Sequence, residues 1–160
     1  MVPAFVGLGA PYWRPDVRGA VFGLTRGTTR AHLVRAALES LAFQSRDLIE
    51  AMAKDAGRTQ GSTKRVRVLR VDGGASSNDW LMQYQADLLG IPVERPHVIE
   101  TTALGAGLLA GLATGFWGSH RDLAQARRLD RRFEPSKPRG WREAEYRRWR
   151  WAIETLLSHR

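Results

Sequence analysis

Val71-Asp72-Gly73-Gly74-Ala75-Ser76-Ser77-Asn78 is the stretch on which the fold of this chain turns. An apolar, β-branched run enters it, two glycines follow, and a helical pattern over residues 80–89 leaves it. The arrangement has a physical use. Glycines let a ligand approach the backbone with no Cβ in the way, and the unpaired N–H groups opening a helix, at its positive dipole end, favour phosphate or sugar oxygens. Asn78, in the first turn, can present its amide to a base or ribose. The same residues also read as a plain strand-to-helix turn capped by Ser76 or Ser77, and the stretch by itself leaves both open.

Upstream, residues 66–71 read as a strand, with Arg65 and Arg67 alternating with Val66 and Val68. Before it, Leu33, Val34, Ala37, Leu38, Leu41, Leu48, Ile49 and Met52 keep the three-and-four spacing of one helical face. A long amphipathic helix is predicted over residues 29–52, with Thr28 or Thr29 as N-cap and Gly57 as a stop signal. Downstream, Gly90 ends the helix of residues 80–89. Pro92 and Pro96 then hold residues 91–96 extended, and Thr101 or Thr102 caps a further helix to about Trp117.

The order helix, strand, helix, strand, helix predicts an α/β fold with helices over a sheet. Two clear strands, with at most two more in residues 3–22, are too few to shield three apolar helices. The chain is therefore expected to begin inside a domain, to lack that domain's first strands, and to be a truncated piece. Gly105, Gly107, Gly111 and Gly115 on the apolar last helix fit close packing of that helix on the sheet.

Composition sets further bounds. Of 160 residues, 43% are hydrophobic and 26% charged, which excludes wholesale disorder. The net charge of +9 comes almost entirely from arginine, so polyanions are to be considered as partners. There is no cysteine, which excludes disulfides, thiolate metal sites and cysteine nucleophiles, and a cytoplasmic location is expected. The apolar opening, residues 2–13, has no basic flank and is broken by Pro3, Gly7, Gly9 and Pro11, so it does not read as a signal peptide. Residues 103–117 fall short of the roughly 20 needed to cross a bilayer, so no membrane association is expected and a buried helix is predicted there. His32, His97, His120 and His159 have no metal-site spacing.

Charge divides the chain. Residues 1–117 carry 13 basic and 10 acidic residues, whereas residues 118–160 carry 12 and 6, so 118–160 is expected as a basic C-terminal extension to the partial domain of 1–117. In that extension Trp141, Tyr146, Arg147, Arg148, Trp149, Arg150 and Trp151 interleave cations with rings, as a single-stranded nucleic-acid groove requires. Tyr146, Trp149, Ile153, Leu156 and Leu157 also fall on one helical face, and a docked amphipathic helix is the favoured reading, with nucleic acid an unlikely partner. The loop Gly7-Leu8-Gly9-Ala10-Pro11-Tyr12-Trp13 either lines a pocket or closes a core with its aromatic pair. Glu39 reads as a boundary residue, with support of a nucleotide site from a second layer as the other option.

The Asp72-Gly73-Gly74 turn, Gly19-Ala20-Val21-Phe22-Gly23-Leu24, His32-Leu33, Ala36-Ala37-Leu38-Glu39 and Glu100-Thr101-Thr102-Ala103-Leu104-Gly105-Ala106 together resemble the C-terminal, nucleotide-binding half of the sugar and polyol kinase family with the actin-like (ribonuclease H-like) ATPase fold. Gly7 to Trp13, Arg18 to Phe22 and Gly23-Leu24-Thr25-Arg26-Gly27-Thr28 are more similar to its glycerol kinases than to its xylulose or ribulose kinases. The resemblance is dense to about Trp117 and looser beyond, through Tyr146, Trp149, Ala152 and Ile153.

The resemblance implies a mixed sheet flanked by helices, ATP in a cleft between two related domains, and phosphoryl transfer to a terminal hydroxyl of glycerol. Mg²⁺, held through the nucleotide phosphates, and a carboxylate base would assist. It implies that Gly74 and Asn78 contact the ADP moiety and that Gly73 and Ala75 shape the same turn. It also implies that the catalytic aspartate, the glycerol-binding residues and the first phosphate hairpin lie in an N-terminal half absent from this sequence. No catalytic residue is therefore expected here, neither Asp72 nor Asp16, and the chain alone is expected to be inactive. Its expected partners are ATP, glycerol in the intact enzyme and the missing half. A homo-oligomer, a non-catalytic docking module and a nucleic-acid binder remain as alternatives. Arg14, where relatives usually carry an acid, and a slightly long loop at residues 58–64 depart from the pattern.

Overall fold

The computed structural model describes residues 1–55, 66–126 and 128–158. Gly57, Arg65, His159 and the loop at 58–64 lie outside the described residues. After an irregular stretch, α1 (Arg30–Asp55) leads to β1 (Leu69–Arg70), a single 3₁₀ turn (Gly74–Ser77) and α2 (Asp79–Leu89). β2 (Val93–Pro96), α3 (Thr101–Ala113), α4 (His120–Ala126), β3 (Leu129–Phe133) and α5 (Arg139–Ser158) follow. The fold is α/β.

The sheet is small and mixed, in the order β1-β2-β3. β1 runs parallel to β2 with Leu69 opposite Val93, as a strand-helix-strand crossover through α2 requires. β2 runs antiparallel to β3, with Val93 opposite Phe133 and a bulge between Arg95 and Pro96. The strand expected over 66–71 shrinks to two residues, because among the described residues β1 has a ladder partner on one side only. Within residues 3–22 there are no strands, only isolated bridges such as Leu8 with Arg14, and Val2 with Ala20.

α2 forms as its sequence dictates. Asn78 accepts the Leu81 N–H at 3.0 Å as N-cap, and Gly90 stops the helix in the left-handed conformation at φ 69°. Its face buries Leu81, Met82, Ala86 and Leu88 against Val93, Phe133 and the aromatic residues of α1 and α5. Phe43 stacks on Trp149 with ring centroids 5.2 Å apart, and Tyr84 meets Phe43 edge-on. α5 is thus part of the core: Tyr146, Trp149, Ala152 and Ile153 are buried, while Arg147, Arg148 and Arg150 face solvent, as the docked-helix reading requires. The nucleic-acid alternative loses the Tyr146 and Trp149 rings to this packing.

Two expectations fail on which surfaces are covered. α3 and the residues just after it were expected to be buried on the sheet, yet α3 contains no buried residue, and Leu109 and Phe116 are 62% and 78% exposed. A Cβ on Gly105, Gly107 or Gly115 would meet nothing within 4 Å, and only Gly111 is closely approached, by the Trp117 ring of its own segment. On α1 the buried residues are Ser40, Ala42, Phe43, Arg46, Asp47, Ile49 and Ala53, whereas Val34, Leu41, Leu48 and Met52 of the predicted apolar stripe are exposed. Apolar surface on two helices is bare because little sheet lies between them to cover it.

The charged pair at the centre of α1 fixes α5. Asp47 is buried and accepts bonds from the Tyr146 hydroxyl at 2.6 Å and the Trp149 indole N–H at 2.8 Å. Burial pushes the Asp47 carboxyl above the usual range, against the pull of those donors, and pushes the Tyr146 hydroxyl up as well. Arg46 is also buried. It pairs with Glu50 at 2.8 Å and Glu143 at 2.9 Å, donates to the Arg142 carbonyl at 3.2 Å, and lies 3.9 Å from the Tyr146 ring centroid. Neither residue was singled out from sequence. A charged pair in an amphipathic helix reads as its solvated face, and only the tertiary contacts reveal its partners.

Candidate functional site

Gly73, Gly74, Ala75 and Asn78 lie together on one turn between β1 and α2. Gly73 has φ 74° and ψ 171°, a conformation open to glycine and hardly any other residue, and its N–H donates to the Ile99 carbonyl at 2.8 Å. This bond ties the turn to the segment before α3. Gly74 is different. Its φ lies outside the left-handed region, and a Cβ there would meet nothing within 4 Å, so neither conformation nor the packing of this chain requires glycine at 74.

The next residues close a 3₁₀ turn through the Ser76 N–H to the Gly73 carbonyl at 3.0 Å and the Asn78 N–H to the Ala75 carbonyl at 3.2 Å. The Gly74 and Ala75 amides open that turn and have no acceptor within it. The expected capping serines hold it from below instead: Ser76 is buried and donates to the Gly73 carbonyl, and Ser77 donates to that of Gly74, each at 2.7 Å. Asn78 uses its Oδ1 on the Leu81 N–H, which fixes the side chain and leaves its Nδ2 group as a donor. The turn thus has two main-chain N–H groups and one side-chain amide as donors, at residues Gly74 and Ala75 that are exposed, a set that suits phosphate or ribose oxygens.

The two acids weighed in the sequence are both engaged by neighbours. Asp72 accepts from the Thr101 hydroxyl, which links the end of β1 to the start of α3. Asp16 is held at about 2, chiefly by its hydrogen bonds from Arg14 at 2.6 and 2.8 Å, so it is a spent carboxylate at neutral pH. The Arg14 departure is thereby a local, exposed ion pair. Glu39 pairs with Arg35 at 2.8 Å and lines a separate groove with Phe22, Phe43 and Arg148. In the Gly7 to Trp13 loop Leu8 is buried and Tyr12 packs on the core, whereas Trp13 is exposed. Core closure therefore accounts for Tyr12 and not for Trp13. Among the described residues no group of three or more His, Asp or Glu could hold a metal ion.

Residues 1–114 match the model of the FGGY family of carbohydrate kinases, C-terminal domain. This chain belongs to the FGGY family. Its α/β architecture, a small mixed sheet flanked by helices, is that of the C-terminal domain of these actin-like ATPases. A glycerol kinase of Xanthomonas euvesicatoria is 56% identical to the FGGY chain over 160 residues, covering 100% of this chain and 31% of the relative. One of Dechloromonas aromatica is 59% identical over 157 residues, covering 98% and 30%. The solved structure of Plasmodium falciparum glycerol kinase with ADP superposes at a TM-score of 0.85 with 36% identity, covering 99% of this chain and 31% of that one. A xylulose kinase of Lactobacillus acidophilus, at 23% identity and a TM-score of 0.74, shares the fold. The FGGY chain spans about a third of the length of the curated relatives it matches. Among its described residues no helix is long and apolar enough to cross a membrane.

Proposed function

We propose that this chain is the C-terminal, nucleotide-binding part of a glycerol kinase, and that the intact enzyme transfers the γ-phosphoryl group of ATP to a terminal hydroxyl of glycerol, giving glycerol 3-phosphate. In this reading the amides of Gly74 and Ala75 and the Asn78 side chain receive the ADP moiety, with Gly73 setting the path of the turn. Gly74 is the observation that carries it, because its missing side chain serves nothing inside the chain and clears the approach to two unclaimed amides. The 56–59% identity to glycerol kinases supports glycerol as the substrate.

The remaining two-thirds of the enzyme is the proposed partner. The outer edge of β1, the exposed Val34, Leu41, Leu48 and Met52 of α1 and the uncovered α3 are surfaces on which further strands and helices would pack. A 770 Å³ trough between Val71, Val98, Leu104 and Leu108 lies along the same side of α3. The division at residue 117 is proposed as one of composition, since β3 and α5 share sheet and core with the residues before it. Mg²⁺ would enter with ATP, and the cytoplasm, where ATP and a reducing milieu coincide, is the proposed location.

Phosphoryl transfer needs groups from both walls of a cleft, and this chain supplies one. The purified chain is expected to show no ATP- and glycerol-dependent turnover in a coupled assay. Mixing it with the N-terminal two-thirds of the Xanthomonas relative is expected to produce turnover. Turnover by the chain alone, or a mixture that forms a complex and stays inactive, would overturn the proposal. Self-association without complementation would favour a homo-oligomeric docking module.

A further inference from the structure

The nucleotide turn does not hold itself in place. The Arg95 side chain, on β2, is 12% exposed and reaches across two elements to it. Its Nη1 donates to the Ser76 carbonyl at 2.9 Å and to Asp79 Oδ1 at 2.8 Å, while its Nε donates to Asp130 Oδ2 at 2.7 Å. Ser76 and Asp79 bracket Ser77 and Asn78, so one side chain grips the turn on both sides of the Asn78 amide. Arg131 of β3 pairs with the other Asp79 oxygen, and the Phe133 ring lies 5.4 Å from the Arg95 guanidinium carbon, which limits that group's movement. Arg95 and Arg131 are register partners in the ladder, so the antiparallel β2-β3 pairing delivers both cations to the same carboxylate.

We infer that Arg95 is a positioning residue for nucleotide binding: it clamps the carbonyl of Ser76 and the carboxylate of Asp79 so that the Gly74 and Ala75 amides and the Asn78 side chain are held ready before the ligand arrives. The inference rests on the proposed nucleotide site and adds to it the device that sets its geometry. Only a planar fork reaches three acceptors on three elements at once. A lysine ammonium at the same position gathers its donors on one atom and has no second nitrogen to reach Asp130 as Nε does.

The test compares Arg95→Gln and Arg95→Lys with Arg132→Gln in the full chain. Arg132 is the matched control, because it makes ion pairs on the same sheet, to Glu94 at 2.9 Å and Glu134 at 2.6 Å, without touching the turn. ADP affinity is measured by calorimetry at a temperature where circular dichroism shows every variant folded, and amide hydrogen exchange is followed at residues 74–81 and, as reference, on α5. Arg95→Gln is expected to weaken ADP binding by about tenfold or more and to speed exchange at residues 76–81 with α5 unchanged. Arg95→Lys should recover part of both, and Arg132→Gln should change neither. Unchanged ADP affinity in Arg95→Gln overturns the inference, as does equal loss in Arg132→Gln. If the wild-type chain binds no ADP, the nucleotide reading fails separately, and the exchange data then decide alone: faster exchange confined to the turn upholds the clamp, and unchanged exchange removes it.

Discussion

Adding one methyl group at Gly73 and at Gly74 should have opposite effects on stability. Gly73 sits at φ 74° and ψ 171°, where a Cβ is strained whatever the space around it, so Gly73→Ala should destabilise the chain by about 1–3 kcal/mol. At roughly 2–4 °C per kcal/mol for a chain of this size, the midpoint of thermal unfolding should fall by about 2–12 °C. Gly74 has neither a left-handed φ nor a neighbour within 4 Å of the added atom, so Gly74→Ala should leave stability unchanged or raise it by about 0.4–1 kcal/mol through a less flexible unfolded chain. For ADP, the added methyl at 74 stands between the ligand and the Gly74 and Ala75 amides. Losing one charge-assisted bond costs about 1.5–3 kcal/mol, or about 10- to 150-fold in Kd. Scanning calorimetry gives the stabilities and titration calorimetry with ADP gives the affinities, both on purified chain. Wild-type ADP affinity in Gly74→Ala would refute the assignment of this turn to nucleotide, and a Gly74→Ala midpoint as low as that of Gly73→Ala would refute the account of why there are two glycines.

Other outcomes follow from the core and the bare surfaces. The Tyr84 hydroxyl is buried without a hydrogen-bond partner among the described residues, so Tyr84→Phe should be neutral or stabilising by about 1 kcal/mol in urea unfolding, and a loss of more than that would reveal a partner for the hydroxyl. Asp47→Asn places an amide donor against Tyr146 or Trp149 and should cost about 1–3 kcal/mol. Because burial raises the Asp47 carboxyl above its unfolded value of about 3.9, the folded chain keeps that proton to higher pH; this contribution is complete below about pH 4 and declines as pH rises through the folded value. The stability gap between wild type and Asp47→Asn should therefore narrow from about pH 4 upward, and a widening gap would contradict the desolvation account. On α3, Leu104→Asp and Leu109→Lys replace exposed side chains, so unfolding should shift by less than about 0.5 kcal/mol while reconstituted turnover with the N-terminal two-thirds drops at least tenfold. Unimpaired reconstitution would show that α3 covers nothing in the assembled enzyme.

The elements and the candidate turn were legible because their determinants are local. The three-and-four spacing on α1, the Gly90 stop of α2 and the proline-bounded β2 each lie within a few residues of the structure they specify, whereas the cap of α2, expected at Ser76 or Ser77, is Asn78. The Gly73-Gly74 pair could likewise be read as a ligand turn, though not why each glycine is there; a backbone angle separates the two roles. β3 was missed because Leu129-Asp130-Arg131-Arg132-Phe133 lacks a clean apolar alternation, and its strand form depends on pairing with β2 and on ion pairs to Glu94 and Asp79. Arg95 carried a faint signal, a cation between Glu94 and Pro96 in a short strand, but its partners at Ser76, Asp79 and Asp130 lie 16 to 35 residues away.

What the sequence alone determined was the α/β order, the turn with its four candidate residues and the kinase resemblance, since periodicity, capping and glycine placement act over one or two turns of chain. What the tertiary structure decided was which faces are covered. Burial depends on what lies opposite a surface, and the same apolar pattern marks a helix face that meets Phe43 and Trp149 as marks one that meets only solvent. That is why Asp47 proved to be buried, Leu41 and Leu109 proved to be exposed, and the Ser76 carbonyl of the glycine turn proved to be bonded by an arginine two elements away.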